Sequence, residues 1–261
     1  MSLRIAVTGG SSGIGLAIAR QFAAKGHTVY SLSRRPSADG VRHIPCDVAD
    51  ESSVRLAFAA LEQAEGALDI LVNNAGFGIS GAAEFTDLDK AKALFDVGYF
   101  GLLACVKHAL PLLRKSASPL IVNVGSLAAA LPVPFQSVYS SAKAAVSALT
   151  LCLVNELRPF GVRVCAVLPG DVRTGFTAKR DKSQEGRALY GDRLERAVAR
   201  MEADEQNGMP PERIAAAVCR AAMKRRPKPL FTVGAGYKTL LVLSRLLPAR
   251  WVNRIEGRLY G

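Results

Sequence analysis

A tyrosine and a lysine four residues apart, Tyr139 and Lys143, are the residues of this chain best suited to proton chemistry. On a helix this spacing places both side chains on one face, one turn from each other. A free phenol loses its proton near about pH 10, and a lysine cation close by favours the phenolate and lowers that pKa. The pair can therefore give a proton to a ketone or take one from an alcohol. Alone, the same spacing also occurs in many helices as one exposed aromatic and one exposed cation.

A glycine-rich segment near the start of the chain supports the chemical interpretation. Residues 3–8 form a short apolar run typical of a buried strand, and residues 16–22 follow with helical periodicity. Between them the chain reads Gly9-Gly10-Ser11-Ser12-Gly13-Ile14-Gly15. Such glycines allow a tight turn whose N–H groups approach a pyrophosphate at the positive end of the helix. A glycine-rich turn can also be no more than a turn, and the first gap, from Gly9 to Gly13, is longer here than in G-x-G-x-x-G.

The rest of the chain indicates what must position these residues. Strand-like apolar runs alternate with helical stretches, which predicts one α/β domain with a parallel sheet between helices. At 261 residues, 49% of them apolar, the chain is long enough for such a core. The strand-like runs are residues 3–8, 28–33, 41–46, 69–73, 119–125, 162–168 and about 229–233. Residues 88–115 and 139–158 are predicted to be long helices, and no long linker, repeat or low-complexity tract interrupts the pattern.

Taken together, these motifs resemble the short-chain dehydrogenase/reductase family. The family's T-G-x-x-x-G-x-G loop corresponds to residues 8–15, and its N-N-A-G element to residues 73–76. Its catalytic serine corresponds to Ser126, thirteen residues before Tyr139, and its P-G motif to residues 169–170. The resemblance implies a Rossmann-type, doubly wound parallel sheet. It also implies that the protein interconverts an alcohol and a ketone or aldehyde with a nicotinamide cofactor.

The resemblance further implies a role for individual residues. Ser126 is expected to hydrogen-bond the substrate oxygen, Tyr139 to exchange a proton with it, and Lys143 to bind the nicotinamide ribose. Thr174 is expected at the carboxamide of the nicotinamide, and Asp47 at the edge of the adenine. The expected cofactor contacts are Gly9, Ser11, Ser12, Gly13, Ile14, Gly15, Ser33, Arg34, Arg35, Asp47, Val48, Asn74, Ala75, Gly76, Tyr139, Lys143, Pro169, Gly170, Val172 and Thr174.

The end of the second predicted strand indicates which nicotinamide cofactor is used. An NAD enzyme commonly carries an acidic residue there, which accepts hydrogen bonds from the ribose hydroxyls. This chain has Ser33-Arg34-Arg35 instead. Guanidinium groups bind a dianionic 2′-phosphate through charge-assisted hydrogen bonds, so the segment predicts NADP(H). The alternative is a pair of solvated loop arginines.

One position departs from the family. Its members usually carry an asparagine in the helix before the serine strand, which bends the helix and helps to hold a water that links the lysine to bulk solvent. Gly98 takes that place, in the segment Val97-Gly98-Tyr99-Phe100-Gly101. A glycine can keep the bend and a free carbonyl, but it has no amide side chain. Two outcomes stay open: a proton relay re-routed through the backbone, or an impaired one.

Two segments outside the shared motifs bear on the substrate. The family places a mobile substrate lid after the P-G motif, so residues 173–210 are expected to form a helical lid. A surface insertion without substrate contact is the alternative. The NADP-binding domain then covers residues 1–235, and residues 236–261 form a C-terminal extension.

The C-terminal extension predicts two short basic amphipathic helices. Their apolar residues are Leu240, Leu243 and Leu247, opposite Lys238 and Arg245, and then Trp251, Val252, Ile255 and Leu259, opposite Arg250 and Arg254. Such helices can lie in a lipid interface, cap a hydrophobic substrate cleft or simply pack on the domain. Their apolar runs are too short to span a bilayer.

The extension also separates the possible substrates. Family members that act on steroids, retinoids or long-chain lipid ketones often carry an apolar C-terminal extension, so the resemblance implies a bulky apolar alcohol or ketone. A 3-oxoacyl thioester or a small carbonyl compound is the alternative. A weakly active protein kept as an NADPH-binding scaffold is a third interpretation, suggested by Gly98. The intact Ser126, Tyr139 and Lys143 argue against it.

Composition restricts the possible partners of the protein and its cellular compartment. A net charge of +12 fits nucleic acid, acidic membranes or acidic substrates, but the basic residues are not interleaved with aromatics as in nucleic-acid binding. Five scattered cysteines without a C-x-x-C pair are expected to be small buried side chains in a reducing, cytoplasmic compartment. Three histidines without metal-like spacing predict no metal site, and the early first strand predicts no signal peptide.

The two long helices bear on subunit number. In the family, the helices corresponding to residues 88–115 and 139–158 pair with their copies in a second subunit, so a homodimer or homotetramer is expected. Burial of their apolar faces within one subunit is the alternative.

Overall fold

A computed structural model of the chain describes residues 2–37, 40–183 and 185–260, so Gln184 of the predicted lid lies outside the described residues. The strands of the main sheet are β1 (Arg4–Thr8), β2 (Thr28–Ser33), β3 (Arg42–Pro45), β4 (Ile70–Asn73), β6 (Leu120–Val124), β7 (Arg163–Leu168) and β9 (Leu230–Thr232). They are all parallel and lie in the order β3-β2-β1-β4-β6-β7-β9. Two short strands, β5 (Ile79–Ser80) and β8 (Asp181–Lys182), pair outside this sheet. The predicted doubly wound sheet is confirmed, with every predicted run forming a strand.

Helices connect the strands and cover the sheet. They are α1 (Gly13–Ala23), α2 (Glu51–Glu65), α3 (Leu88–Phe95), α4 (Gly101–Leu113), α5 (Ser137–Glu156), α6 (Phe176–Lys179), α7 (Arg187–Tyr190), α8 (Asp192–Gln206), α9 (Pro211–Ala222), α10 (Ala235–Leu246) and α11 (Ala249–Tyr260). The helix predicted over residues 88–115 is divided, because a π-helical turn at Asp96–Phe100 separates α3 from α4.

The core lies in two layers, one on each face of the sheet. Ile5 and Val7 of β1 pack in the layer of α1 and α9, whereas Ala6 between them packs in the layer of α2, α4 and α5. This is the two-residue alternation of a strand. Because helices cover both faces, the strands are apolar at nearly every position rather than at every second one.

Two helical stretches among the described residues, Leu88–Leu113 and Ser137–Glu156, are long and apolar enough to cross a bilayer by length and composition alone. Residues from α4 and α5 contribute to the core layer on one face of the sheet. A core helix of a globular protein meets the same two criteria, so the stretches carry no membrane assignment.

The cysteines follow the sequence expectation with one exception. Cys46, Cys105, Cys165 and Cys219 are buried, whereas Cys152 is exposed. The expectation of a buried side chain is wrong for Cys152, because α5 is apolar on its outer side as well as on the side that packs against the sheet.

Candidate active site

The carboxyl ends of the central strands open into one large cleft. Its cavity has a volume of about 700 Å³, within the range of cofactor and ligand sites. The order of the strands reverses between β1 and β4, which is where doubly wound sheets bind their ligands. Every residue that the sequence predicts for catalysis or cofactor contact lines this cleft, except Gly15.

Ser126, Tyr139 and Lys143 lie together on one wall of the cleft. Ser126 follows β6 and begins a short 3₁₀ turn, where its Oγ accepts a hydrogen bond from the N–H of Ala128 at 3.1 Å. Tyr139 and Lys143 lie near the start of α5, with the Lys143 Nζ 5.7 Å from the centre of the Tyr139 ring. The same Nζ donates to the carbonyl of Val124, the last residue of β6, at 3.0 Å. One strand end and one helix start therefore position all three side chains.

Burial dominates the protonation of both titratable groups. It raises the pKa of Tyr139 to about 12, against a smaller opposing effect of the Ser126 hydroxyl. Burial lowers the pKa of Lys143 to about 8. The net direction is therefore opposite to the predicted lowering of the tyrosine pKa, because burial is the largest effect on the phenol. The Lys143 ammonium hydrogen-bonds the Val124 carbonyl and lies over the face of the ring. The phenol is held in its protonated form, ready to donate.

The glycine-rich turn is fixed by hydrogen bonds from the N-N-A-G element. Asn74 Nδ2 donates to the carbonyls of Thr8 and Gly9, and the N–H groups of Asn74 and Ala75 both donate to Thr8 Oγ1. A Cβ on Gly15 would lie 2.4 Å from Asn74 Nδ2. Gly15 therefore packs closely against Asn74 and does not line the cleft, and its contact with a cofactor stays a prediction.

The same turn leaves donors for a phosphate. α1 begins at Gly13, whose φ is +54°, and within the described chain Ser12 at its N-cap makes no side-chain capping hydrogen bond. The first N–H groups of a helix need a partner from outside it, and a pyrophosphate is one. A Cβ on Gly13 would lie 3.6 Å from Thr174 Cβ, so Thr174 faces the turn. This cradle fits the pyrophosphate of a nicotinamide dinucleotide.

The loop after β2 carries the two predicted arginines to the cleft. Ser33 Oγ donates to the carbonyl of Arg35 at 2.8 Å, and Arg34 is exposed with its Nη1 3.9 Å from an Asp47 carboxylate oxygen. Ser37 Oγ donates to a backbone carbonyl of the glycine-rich turn at 3.0 Å. The loop is thereby tied to the phosphate cradle, with its guanidinium groups beside the cradle.

The P-G motif is covered by the C-terminal extension. A Cβ on Gly170 would lie 2.4 Å from the ring of Tyr237, near the start of α10. The Tyr237 hydroxyl donates to Asp171 Oδ2 at 2.7 Å and accepts from the Asp171 N–H at 3.1 Å. Only glycine leaves room for the ring at this position. Sequence reasoning missed Tyr237, since no motif identifies it.

The predicted lid segment lies against the cleft. Phe176 of α6 contacts Tyr139, with ring centroids 5.8 Å apart. Arg180 and Glu205 form a buried ion pair close to the same tyrosine. β8 pairs with β5, which fastens the segment to the body of the domain.

The apolar lining near the reacting groups was not predicted. It comes from the loop before α5, the loop after β4 and the lid segment, and comprises Phe77, Leu131, Val133, Phe176 and Met201. These residues lie on irregular backbone or on separate elements, so their spacing in the sequence has no period that would reveal a shared surface.

The two C-terminal helices form part of the wall of the cleft. Leu240 of α10 and Ile255, Leu259 and Tyr260 of α11 line it. The Tyr260 hydroxyl donates to Asp204 of α8 at 3.0 Å, which ties the extension to the lid segment. The sequence left three arrangements open for the extension: contact with lipid, a cap over the cleft, or packing on the domain. Residues of both helices in the cleft wall are what a cap would show.

The helical wheel of α10 did not identify its buried side. Leu241 is the buried leucine, at 7% exposed, whereas the predicted apolar side of Leu240, Leu243 and Leu247 stays 39–47% exposed. The helix rests on the small cluster that Leu241 shares with Leu168. Much of its apolar surface therefore faces outward.

Gly98 lies in the π-helical turn of residues 96–100, so the bend expected of the missing asparagine is kept. A Cβ there would meet nothing within 4 Å. Space for a side chain at position 98 is thus available in the fold.

Comparisons with known proteins agree with this geometry. Residues 4–185 match the family model of the short chain dehydrogenase. A 3-ketodihydrosphingosine reductase of Bacteroides thetaiotaomicron is 35% identical over 245 residues, covering 92% of this chain and 91% of that protein. A solved short-chain dehydrogenase from Streptomyces avermitilis is 30% identical with a TM-score of 0.83, covering 94% of this chain and 93% of that one. A short-chain dehydrogenase/reductase from Burkholderia phymatum, solved in complex with NAD, shares the fold at 24% identity, with a TM-score of 0.80 over 94% and 92% of the two chains.

Proposed function

This chain belongs to the short-chain dehydrogenase/reductase family, and we propose that it is an NADP(H)-dependent reductase of bulky apolar ketones. The observation that carries the proposal is the meeting of Ser126, Tyr139 and Lys143 in a cleft that also holds the glycine-rich cradle and an apolar wall. A bound NADPH would supply the hydride. The residues of the chain supply the rest of the chemistry.

Each catalytic side chain has a distinct task in this proposal. Ser126 Oγ donates a hydrogen bond to the carbonyl oxygen of the substrate and holds it near Tyr139. Tyr139 then gives its proton to that oxygen as the carbonyl becomes an alcohol, and the high pKa of the buried phenol keeps the proton available. The Lys143 ammonium lies 5.7 Å from the centre of the Tyr139 ring and supplies positive charge for the phenolate that forms.

The preference for NADP(H) rests on the loop after β2. Arg34 and Arg35 line the cleft beside the phosphate cradle, and β2 ends at a serine rather than at a carboxylate. The protein from Burkholderia phymatum that shares this fold was solved with NAD. The fold alone therefore does not select NADP(H), and a preference for it has to come from side chains of this chain. Two guanidinium groups favour the additional 2′-phosphate of NADPH.

The preference for an apolar substrate rests on the cleft wall and on one relative. Leu131, Met201, Leu240, Ile255 and Leu259 present aliphatic surface to the cleft. The Bacteroides relative is named a 3-ketodihydrosphingosine reductase, which suggests a keto lipid as the substrate of this chain as well. A 3-oxoacyl thioester or a small carbonyl compound is the alternative substrate.

The experiment that tests the proposal is a screen of purified protein with NADPH against ketones of rising chain length and ring number. Catalytic efficiency that rises with apolar size supports the proposal. A preference for short ketones or for 3-oxoacyl thioesters favours the alternative. Tight NADPH binding without turnover of any ketone favours a scaffold protein.

The cleft lining gives a sharper prediction. Replacing Leu240 and Ile255 together by serine is expected to raise KM for a long-chain ketone roughly tenfold, because each substrate methylene held in an apolar pocket contributes about 1 kcal/mol or more to binding. KM for a short ketone should stay the same, since a short chain does not reach these residues. Leu246→Ser is the matched control, because Leu246 lies on the same helix but is 74% exposed and outside the cleft. Equal effects on short and long ketones would contradict this role.

We also propose that the C-terminal helices touch an anionic membrane surface, as peripheral contact of a cytoplasmic protein. Leu246, at 74% exposed, and Trp251, at 54%, present apolar surface beside the cleft. Arg245, Arg250 and Arg254 are exposed around them. Exposed apolar and basic residues together favour an anionic lipid interface, and an apolar substrate could enter the cleft from it.

Trp251 provides the test, because it is the only tryptophan of the chain. Vesicles containing phosphatidylglycerol are expected to shift its emission to shorter wavelength, and salt should weaken the effect because it screens the arginines. Vesicles of phosphatidylcholine alone and the variant with Arg250→Glu and Arg254→Glu should give little shift. An unchanged spectrum with anionic vesicles at low salt would rule the contact out.

A homodimer or homotetramer is proposed on the helices that cover one face of the sheet. Leu103 of α4 and Leu151 of α5 are 39% and 44% exposed, so these helices offer outward apolar surface for a second copy. Light scattering of the purified protein measures the subunit number directly, and a monomer would leave those leucines in solvent.

A further inference from the structure

A second, small cavity lies beside Lys143, separate from the main cleft. Its volume is about 10 Å³, close to the space that one water molecule needs. Lys143 lines both the cleft and this cavity. Asn73 and Gly98 lie in the wall of the small cavity, on β4 and in the π-helical turn respectively.

Asn73 has an unusual hydrogen-bonding state for so buried a side chain. It is only 3% exposed, yet no described residue donates to its Oδ1. Buried polar atoms without a partner are rare and usually mark a bound water or a function. We therefore expect a hydrogen-bond donor within this cavity that satisfies Asn73 Oδ1.

The orientation of the Asn73 amide follows from its neighbours. The Thr150 hydroxyl gives its one proton to the Val146 carbonyl at 2.7 Å, so Thr150 Oγ1 must accept from Asn123 Nδ2 at 2.9 Å. Asn123 Oδ1 then faces Asn73 and accepts from Asn73 Nδ2 at 3.0 Å. The Asn73 oxygen is left pointing away from this chain of bonds.

Lys143 provides the donor that such a water needs. Its ammonium has three N–H groups, and one of them donates to the Val124 carbonyl. Val124 also lines the small cavity. A water there can accept an N–H from Lys143 and donate an O–H to Asn73 Oδ1, which satisfies the buried atoms on both sides.

We propose that Asn73 is a positioning residue that holds a water molecule against the Lys143 ammonium, in place of the asparagine that Gly98 lacks. The inference rests on the proposed carbonyl reduction. Gly98 leaves the wall of the cavity open, and Asn73 supplies from the sheet the amide oxygen that position 98 does not supply from the helix. Gly98 is also partly exposed to solvent, so the cavity lies close to bulk water.

The water completes the proton balance of the reaction. In each turnover the phenolic O–H bond of Tyr139 breaks and the O–H bond of the product alcohol forms. The phenolate must regain a proton from solvent before the next turnover. The proton that the Lys143 ammonium gives up on the cleft side restores the Tyr139 phenol. The lysine regains a proton from the water held by Asn73, and bulk solvent returns a proton to that water.

The test compares two variants that break the same hydrogen bond. Asn73→Val and Asn123→Val both remove the bond between Asn73 Nδ2 and Asn123 Oδ1, but only Asn73 lines the small cavity. Both should lower the melting temperature. Asn73→Val should lower kcat by roughly tenfold to a hundredfold, up to the lower end of what a positioned proton-transfer group contributes. Asn123→Val removes the bond that orients the Asn73 amide but leaves the Asn73 oxygen in place, so its loss of kcat should be clearly smaller. KM for NADPH and for the ketone should stay the same in both.

Two further measurements separate a relay from a structural role. Adding Gly98→Asn to Asn73→Val should recover much of kcat without recovering the melting temperature, since position 98 does not touch the Asn73–Asn123 bond. The water stabilises the charged form of Lys143, so its removal lowers the pKa of Lys143, and the alkaline fall in kcat should begin at lower pH in Asn73→Val. Among the residues that the structure describes, the titratable neighbour of Lys143 is Tyr139 on the same helix, and burial is the cause of the lowered pKa of Lys143.

Should Asn73→Val fail to fold, Asn73→Thr replaces it, because its hydroxyl can donate toward Asn123 while its methyl removes the free acceptor. Equal loss of kcat in the Asn73 and Asn123 variants, with no recovery by Gly98→Asn, would overturn the proposal. A wild-type protein without ketone reduction would instead refute the proposed function itself.

Discussion

Replacing Tyr139 by phenylalanine is expected to lower kcat for carbonyl reduction by about 10²–10⁴-fold, the usual contribution of a positioned general acid. The ring remains, so its contact with Phe176 is kept. What disappears is the phenolic proton, which burial retains by raising the pKa of Tyr139 to about 12. Steady-state kinetics with NADPH and the best ketone of the screen measure the loss. Kd for NADPH, from a fluorescence titration, should change by no more than about twofold, because the acid acts in the transition state only.

The control for this variant is Tyr190→Phe. The Tyr190 hydroxyl donates to Glu84 at 2.7 Å in the lid region and does not line the cleft. Its removal should leave kcat unchanged. Near-normal turnover in Tyr139→Phe would show that another group protonates the substrate and that the assignment of Tyr139 is wrong.

The same pKa predicts how the reverse reaction depends on pH. Alcohol oxidation needs the phenolate as base, and below the pKa its fraction rises tenfold with each pH unit. Since burial raises this pKa, kcat/KM for oxidation should rise steadily with pH through the neutral and mildly alkaline range. Reduction uses the protonated phenol and should not depend on its titration there. A rate of oxidation that is flat from neutral pH upward would indicate that a bound cofactor brings the phenol pKa into the neutral range.

The fold and the cofactor cradle could be predicted because local chemistry determines them. A buried parallel strand is apolar at nearly every position, and the turn after β1 has glycine where φ is +65° at Gly9 and +54° at Gly13. Such constraints act over a few residues and remain visible in the sequence. The proposed catalytic group is likewise visible, because Tyr139 and Lys143 share one helix and Ser126 follows a predicted strand closely in the sequence.

Features that depend on contacts between distant segments could not be predicted. The pKa of Tyr139 depends on burial beneath the lid segment, which the spacing to Lys143 does not reveal. Tyr237 covers Gly170 from 67 residues further along the chain, and the buried side of α10 depends on where that helix rests. The free Oδ1 of Asn73 depends on Thr150 and Asn123, which belong to other elements. Gly98 is visible as a departure from the family, but the residue proposed to compensate for it lies on another strand.

Replacing Arg34 and Arg35 together by alanine is expected to weaken NADPH binding by roughly tenfold or more, since each charge-assisted hydrogen bond contributes about 1.5–3 kcal/mol. Arg34 is largely exposed, and its side chain lies 3.9 Å from Asp47, so it can turn toward a phosphate at little cost. Kd for NADH should change far less, because NADH carries no 2′-phosphate for these arginines to bind. Direct titration of both cofactors, with wild type and with the double variant, measures the difference.

The control and the salt dependence make this result specific. Arg220→Ala removes an exposed arginine on α9, outside the cleft, and should leave both affinities unchanged. Added salt should weaken NADPH binding to wild type more than to the double variant, because exposed charges are screened. If wild type prefers NADH in the same titration, Arg34 and Arg35 are solvated loop residues. The choice of cofactor must then lie elsewhere in the cleft, with Asp47, which lines it beside Arg34, as the first residue to test.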